Sequence, residues 1–163
     1  MPAPLSPIRT TDNAARTLAR DLIAGARFGA IGVLHPVSGA PHVARIALAP
    51  AKEGGLLAFV SGLALYTRAL TAAPQAGLLL GEPGAKGDPL THPRLSLSVT
   101  AHFLEADDAQ AKGLRAHWLT LHPKASVYVD LPDFRFVHFA PTGALLNGGF
   151  GRAFELTAKD LAP

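Results

Sequence analysis

FGAIGVLHPVSGAPHVARIALAPAKEGGLLAFVS, residues 28–61, holds three apolar runs separated by two short links rich in turn-forming residues. FGAIGVLH (28–35) reads as a strand, and the Pro, Ser and Gly of PVSGAP mark a turn behind it. HVARIALAP (42–50) predicts a second strand, AKEGG (51–55) a second turn and LLAFVS (56–61) a third strand. Three strands joined by such tight links point to an antiparallel sheet of hairpins, not to a parallel sheet with helical crossovers.

The flanking sequence extends that pattern. Upstream, Ala15, Leu18, Ala19, Leu22, Ile23 and Ala26 fall at helical spacing, with Thr11 or Asp12 placed to cap and Gly25 near the end. Residues 1–10, with three prolines, read as an N-terminal arm. Downstream, SGLALYTRALTAAP (61–74) predicts a turn and an amphipathic helix that Pro74 stops, and QAGLLLGE (75–82) a fourth strand. PGAKGDPLTHP (83–93) is too rich in proline and glycine for regular structure. In RLSLSVTAHFLEA (94–106), Leu95, Leu97, Val99, Ala101 and Phe103 alternate with Ser96, Ser98, Thr100 and His102, the pattern of a strand with one buried face. Residues 107–125 predict a second long helix, DFRFVHFA (133–140) and GALLNG (143–148) two more strands, and the remainder a short closing segment. With no repeat and no linker, residues 11–163 form one expected domain: mainly β, an antiparallel barrel with flanking helices.

Composition narrows the function. The 163 residues are 48% hydrophobic and only 17% charged, which excludes a disordered chain and suggests apolar surface hidden by a partner or ligand. A net charge of +3, with no two basic residues adjacent, gives no nucleic-acid footprint. There is no cysteine, hence no disulfide, thiolate metal site or thiol nucleophile. The first twenty residues lack the basic-then-apolar order of a secretory leader, and no apolar run approaches the ~20 residues of a membrane span, so a cytoplasmic location and no membrane partner are expected.

Two arginines stand out. Arg45 lies mid-strand on a half-apolar face, where a guanidinium either reaches water or clamps an anion. Arg68 follows the next strand, beside Ser61 and Thr67, at the front of a helix whose backbone N–H groups also favour an anion. GEPGAKGDP (81–89) is not a phosphate loop and NGGFGRA (147–153) is not a dinucleotide fingerprint; both read as places where backbone approaches closely. Among the seven histidines, His35 with His42 and His117 with His122 are the pairs to consider, but neither has a carboxylate at ligand spacing, so no metal site is expected. Asp130 and Asp133 read as turn formers.

Taken together, PHVARIAL, the strand ending in Ser61, LALYTRAL, LLLGEPGAKGDPLTHPR, HPKASVYVDLPDFRF and NGGFGRA resemble the pyridoxamine 5′-phosphate oxidase-like, FMN-binding split-barrel superfamily, within it the branch containing heme-utilisation proteins. The resemblance runs from about Ala14 to Leu156. It implies a six-stranded antiparallel split barrel and a homodimer with FMN at the interface. The cofactor-binding residues it implies are Val43, Ala44, Arg45, Ile46 and Ala47 along the second strand, Ser61, Tyr66, Thr67 and Arg68 around the phosphate, and Arg94. Tyr66 and Ala69 stand where the branch pattern has histidine and asparagine. The implied activity is a flavin-dependent oxidoreductase acting on a small molecule. The alternatives are a heme-binding protein, with His92 as the candidate ligand, and a non-catalytic flavin-binding dimer.

Overall fold

The computed structural model describes residues 7–163. Most of the expected N-terminal arm, residues 1–6, lies outside the described residues. The strands are β1 (Ile8–Arg9), β2 (Phe28–Leu34), β3 (Pro41–Ala47), β4 (Ala49–Pro50), β5 (Leu56–Ser61), β6 (Gln75–Leu80), β7 (Arg94–Phe103), β8 (Phe134–Asn147) and β9 (Ala153–Thr157). The helices are α1 (Asn13–Gly25), α2 (Leu65–Ala72), α3 (Ala106–Ala111), α4 (Leu114–Leu121) and α5 (Ala158–Leu161). The fold is mainly β, as expected; the longest strands are β2, β3, β5, β6, β7 and β8, and β8 joins the two strands read over 133–140 and 143–148.

All strands join one sheet, in the order β1-β9-β8-β7-β6-β2-β3, with β5 on β8 and β4 on β5. The sheet does not close: β3 ends the path, and its outer edge pairs with no described strand. Its pairs are antiparallel except for β1 with β9.

Strand β8 organises this arrangement. One edge pairs with β7 from Val137 to Asn147. The other pairs with β5 over Phe134–Phe139 and with β9 over Gly143–Asn147. The sequence reading left residues 141–142 between two separate strands. Instead the register shifts there: Ser98 faces Gly143, Val99 faces Pro141, and Thr142 is the additional residue, its hydroxyl donating to the Ser98 carbonyl at 3.2 Å. A bulge lets a proline sit inside a strand without forfeiting a ladder hydrogen bond.

Two further expectations change. The long helix over 107–125 is split, because Gly113 adopts φ 64°, which a right-handed helix cannot contain. The closing segment, for which no element was read, forms β9 and α5. Ile8 and Arg9 add β1 against Ala153 and Phe154.

Inward-facing residues of the alternating strands fill a core in which Ile31, Leu56, Leu95, Phe139 and Leu146 are fully buried. Helix α1, capped by Asp12 through the Ala15 N–H at 2.8 Å, packs Ala15, Ala19 and Ile23 into it. Arg16 clasps Asp160 at 2.6 Å, which ties α1 to α5; this contact, with hydrogen bonds from Thr157, holds the Asp160 carboxyl down to about 2. A second, smaller cluster around Trp118, Leu57 and Phe136 sits between α4 and the opposite face of β5 and β8.

The turn into β5 presses on β8. A methyl group on Gly55, at φ +73°, would collide with the Phe139 carbonyl and meet the Pro141 ring at 2.8 Å, whereas one on Gly39, at φ +70°, would meet nothing within 4 Å. Denaturant unfolding should therefore give a loss of about 1 kcal/mol for Gly39→Ala and about 3 kcal/mol for Gly55→Ala. Equal losses would show that the β5 turn does not press on β8.

Candidate functional site

The front of α2 is built from the end of β5. Ser61 closes that strand opposite Phe134. Its carbonyl accepts the Ala64 N–H at 3.2 Å and its hydroxyl accepts the Leu63 N–H at 3.1 Å, so Ser61 shapes the turn. The hydroxyl donates to Asp133 Oδ2 at 2.6 Å, and the Asp133 carbonyl accepts the Gly62 N–H at 2.7 Å. Both sides of this serine hydroxyl are thus occupied. Asp133, read in the sequence only as a turn former, anchors the lead-in to the helix. The signal for it was the register that sets Phe134 opposite Ser61, which no local pattern reveals.

The N-cap of α2 is Ala64, which has no side chain to accept a hydrogen bond. A helix leaves its first N–H groups without intrahelical partners, so they look for an external acceptor. Thr67, in the first turn, is only 5% exposed, and its Oγ1 has no hydrogen-bond partner. Tyr66 precedes it and packs against the core, and burial pushes its phenol pKa up. Arg68 is exposed, and no carboxylate in the described residues pairs with it. The structure therefore brings Ser61, Tyr66, Thr67 and Arg68 together on one turn and helix start.

Arg45 lies on β3, and its partners come from the sheet. It pairs with Ala30 of β2, its guanidinium carbon lies 5.8 Å from the Phe28 ring centroid, and no described carboxylate pairs with it. Helix α2 packs against β2, the strand to which β3 is joined. Val43, Arg45 and Ala47 face outward with Phe28, whereas Ala44 and Ile46 face the core. The outward face is nearly uncharged across the sheet. One row runs Arg45, Ala30, Leu79, Ser96, Leu145, Glu155, and the next Val43, Gly32, Gly77, Ser98, Gly143, Thr157. Arg94 stands apart from α2: it heads β7, pairs with Asn147 and donates to the Leu90 carbonyl at 2.9 Å.

The histidines are mostly tied to backbone. His92 is held at both ring nitrogens: Nδ1 accepts the Gly84 N–H at 3.2 Å, and Nε2 lies 2.8 Å from the Lys86 carbonyl. His117 and His122 reach the Pro50 and Leu48 carbonyls, His138 reaches Gly54, and His35 accepts from Val37 and Ser38 in its own turn. No group of three metal-ligating side chains exists among the described residues. Of the two glycine-rich segments, the first holds a close approach, as read: Gly81, at φ +94°, abuts the Pro93 carbonyl; in the second, a methyl on Gly149 would meet the Thr91 carbonyl at 3.4 Å, an ordinary contact.

A buried hydroxyl without a partner destabilises the protein that carries it. Thr67→Val should therefore raise the stability of ligand-free protein by about 1 kcal/mol in urea unfolding. A loss of stability would show that the hydroxyl already has a partner.

No family model matches the chain. A non-canonical heme oxygenase of the Arabidopsis thaliana chloroplast is 32% identical over 119 residues, which cover 71% of this chain and 34% of that protein. A heme-binding protein from Mycobacterium smegmatis superposes with a TM-score of 0.80 at 26% identity, over 93% of this chain and 61% of that one. The present chain thus spans about a third of the plant relative and under two thirds of the mycobacterial one. A Clostridium acetobutylicum protein related to general stress protein 26, of the pyridoxinephosphate oxidase family, shares the fold at 11% identity, with a TM-score of 0.66 over 93% of this chain and 99% of that one. No helix in the described residues is long and apolar enough to cross a membrane. In fold the chain is similar to that member of the pyridoxinephosphate oxidase family, and in sequence it is similar to two proteins named for heme.

Proposed function

We propose that this protein binds FMN, with the phosphate at the front of α2, and works as a homodimeric flavin-dependent oxidoreductase on a small molecule. One observation carries the reading: the Thr67 hydroxyl is buried without a partner in the first turn of a helix that has no side-chain cap. A phosphate oxygen would satisfy both the hydroxyl and the orphan N–H groups. Arg68 would neutralise its charge from the same turn, and Arg45 from β3. The open edge of β3, Val43 to Ala47, would offer its unpaired backbone donors and acceptors to the ring edge. Bound FMN supplies electron or hydride transfer, while the protein supplies binding, orientation and shielding.

The flat outer face supports the dimer. Gly32, Gly77, Ser96, Ser98 and Gly143 allow close approach, and Leu79, Leu145 and Val43 supply apolar contact. Such a face on a lightly charged chain suits a second copy.

Heme binding is the second reading, favoured by the named activities of the relatives at 26% and 32% identity. Using His92 as an iron ligand would break the bonds that hold its loop. His42 and His102 are the histidines whose ring nitrogens make no hydrogen bond among the described residues, and they are the better candidates.

The test is to purify the protein aerobically without added cofactor, denature it and record the visible spectrum of the released material. Free FMN is expected, and the Arg45→Ala/Arg68→Ala variant should lose it while remaining folded. Unchanged flavin in that variant would overturn the phosphate assignment. A colourless protein that ignores added FMN, but gives a saturable Soret band with hemin that His42→Ala or His102→Ala abolishes, would replace the flavin reading with the heme one.

A further inference from the structure

A second concave region lies on the other face of β5 and β8, away from the core, under the break between α3 and α4. On β5, Phe59 faces Phe136 of β8, and period-two alternation puts Phe134 on the same side. The three rings form one wall: Phe59 lies 4.5 Å from Phe136 and 5.1 Å from Phe134, centroid to centroid, with the ring planes tilted by 40° and 34°. The two helices line the space with Ala109, Gly113 and Ala116, none of which carries more than a methyl group. Gly113 also splits the helix there through its left-handed backbone. Bulky flat rings on the sheet and almost no side chain on the helices leave a cavity of about 680 Å³. That volume is typical of small-molecule sites.

The charged residues around the cavity leave no charge free inside it. Arg115 is spent on its neighbour: Nε and Nη2 donate to the two oxygens of Asp130 at 3.0 and 2.9 Å. Arg135 stands between Phe134 and Phe136 on β8, so strand alternation turns its side chain to the opposite face. There its guanidinium carbon lies 4.9 Å from the ring centroid of Phe103, which packs against the main core. Glu105, 3.7 Å from that guanidinium, is on a side chain 82% exposed and keeps its carboxylate in water. An ion entering the cavity would give up hydration and meet no counter-charge, whereas an uncharged ring would lose little and gain the phenyl wall.

From this geometry we infer that the cavity binds an uncharged, planar aromatic molecule, its rings packed on Phe59, Phe134 and Phe136. The tilted phenyl rings offer the face and edge contacts that a further flat ring completes. None of Arg45, Thr67 and Arg68 lines this cavity, so the site is separate from the α2 front and its ligand needs no phosphate.

The probe is prodan, an uncharged naphthalene ketone whose emission moves to the blue in apolar surroundings. It is titrated into the full chain and followed by that shift and by quenching of Trp118. Trp118 is the chain's one tryptophan and lies 6.2 Å from Phe59 and 6.1 Å from Phe136, centroid to centroid, so its emission reports on this wall. Saturable binding of a single probe per chain, with Trp118 quenched, is expected. Uncharged 2-naphthol should displace the probe, and anionic 2-naphthoate should compete at least about tenfold less well. Ala109→Phe and Ala116→Phe each put a ring into the cavity and should weaken the probe about tenfold. Ala116 is exposed, so its variant tests the site even where Ala109→Phe disturbs the fold. Arg45→Ala/Arg68→Ala should bind the probe as the wild type does. The proposal is overturned if the wild type shows no saturable binding, or if naphthoate competes as well as naphthol. It is also overturned if folded Ala116→Phe binds undiminished, or if the Arg45/Arg68 variant loses the probe. Melting temperature and circular dichroism of each variant separate a lost site from a lost fold.

Discussion

Strand β8 holds two edges of the sheet together. Along Phe134–Phe139 it hydrogen-bonds β5, along Gly143–Asn147 it bonds β9, and on its far side it bonds β7 from Val137 to Asn147. Fourteen residues are too many for one flat pairing to serve three neighbours, and the bulge at Thr142 supplies the necessary bend. Because β5 hangs on the first half of β8, the turn after Ser61 starts where Asp133 and Phe134 put it. The front of α2 is therefore placed by a strand seventy residues later in the chain, not by its own cap.

That origin explains the character of the site. Ser61, which a local reading would make the cap or the phosphate ligand, is spent on the turn, held between the Leu63 N–H and the Asp133 carboxylate. Ala64 takes the N-cap position without offering an acceptor, and Thr67 keeps a buried, unused hydroxyl. A fold that leaves donors unsatisfied at one helix start, next to an arginine without a carboxylate partner, favours an anion there. The Asp133 carboxylate would repel an anion bound there from the Ser61 side, toward Thr67 and Arg68.

Much of the fold was legible because the strands announce themselves. The alternation from Leu95 to Phe103 and the β2–β3 hairpin rest on local periodicity and turn chemistry, and both hold in the structure; the second expected strand, 42–50, breaks at Leu48, so only Ala49–Pro50 pairs with β5. Less legible were features set by distant partners. Residues 141–142 were read as a gap between two strands that the bulge opposite Ser98 and Val99 makes continuous, and Gly113 was read through as helix although its φ of 64° ends one. For the candidate site, Thr67, Arg68 and Ser61 were visible as residue types at one helix start. The Ser61–Asp133 bond was not visible, nor was the ring of Phe28 under Arg45, because both depend on register between strands. The pocket under Gly113 was hidden for the same reason: Phe59 and Phe134 are far apart in sequence and meet only through the β5–β8 ladder.

The central claim is that phosphate recognition at the front of α2 governs what this protein binds. Calorimetric titration of the same ligand-free protein with FMN and with riboflavin isolates that contribution, since the two differ only in the phosphate. Charge-assisted bonds from Thr67, Arg68 and the helix start should make FMN at least about a hundredfold tighter than riboflavin. Equal affinities, or binding of neither, would contradict the account.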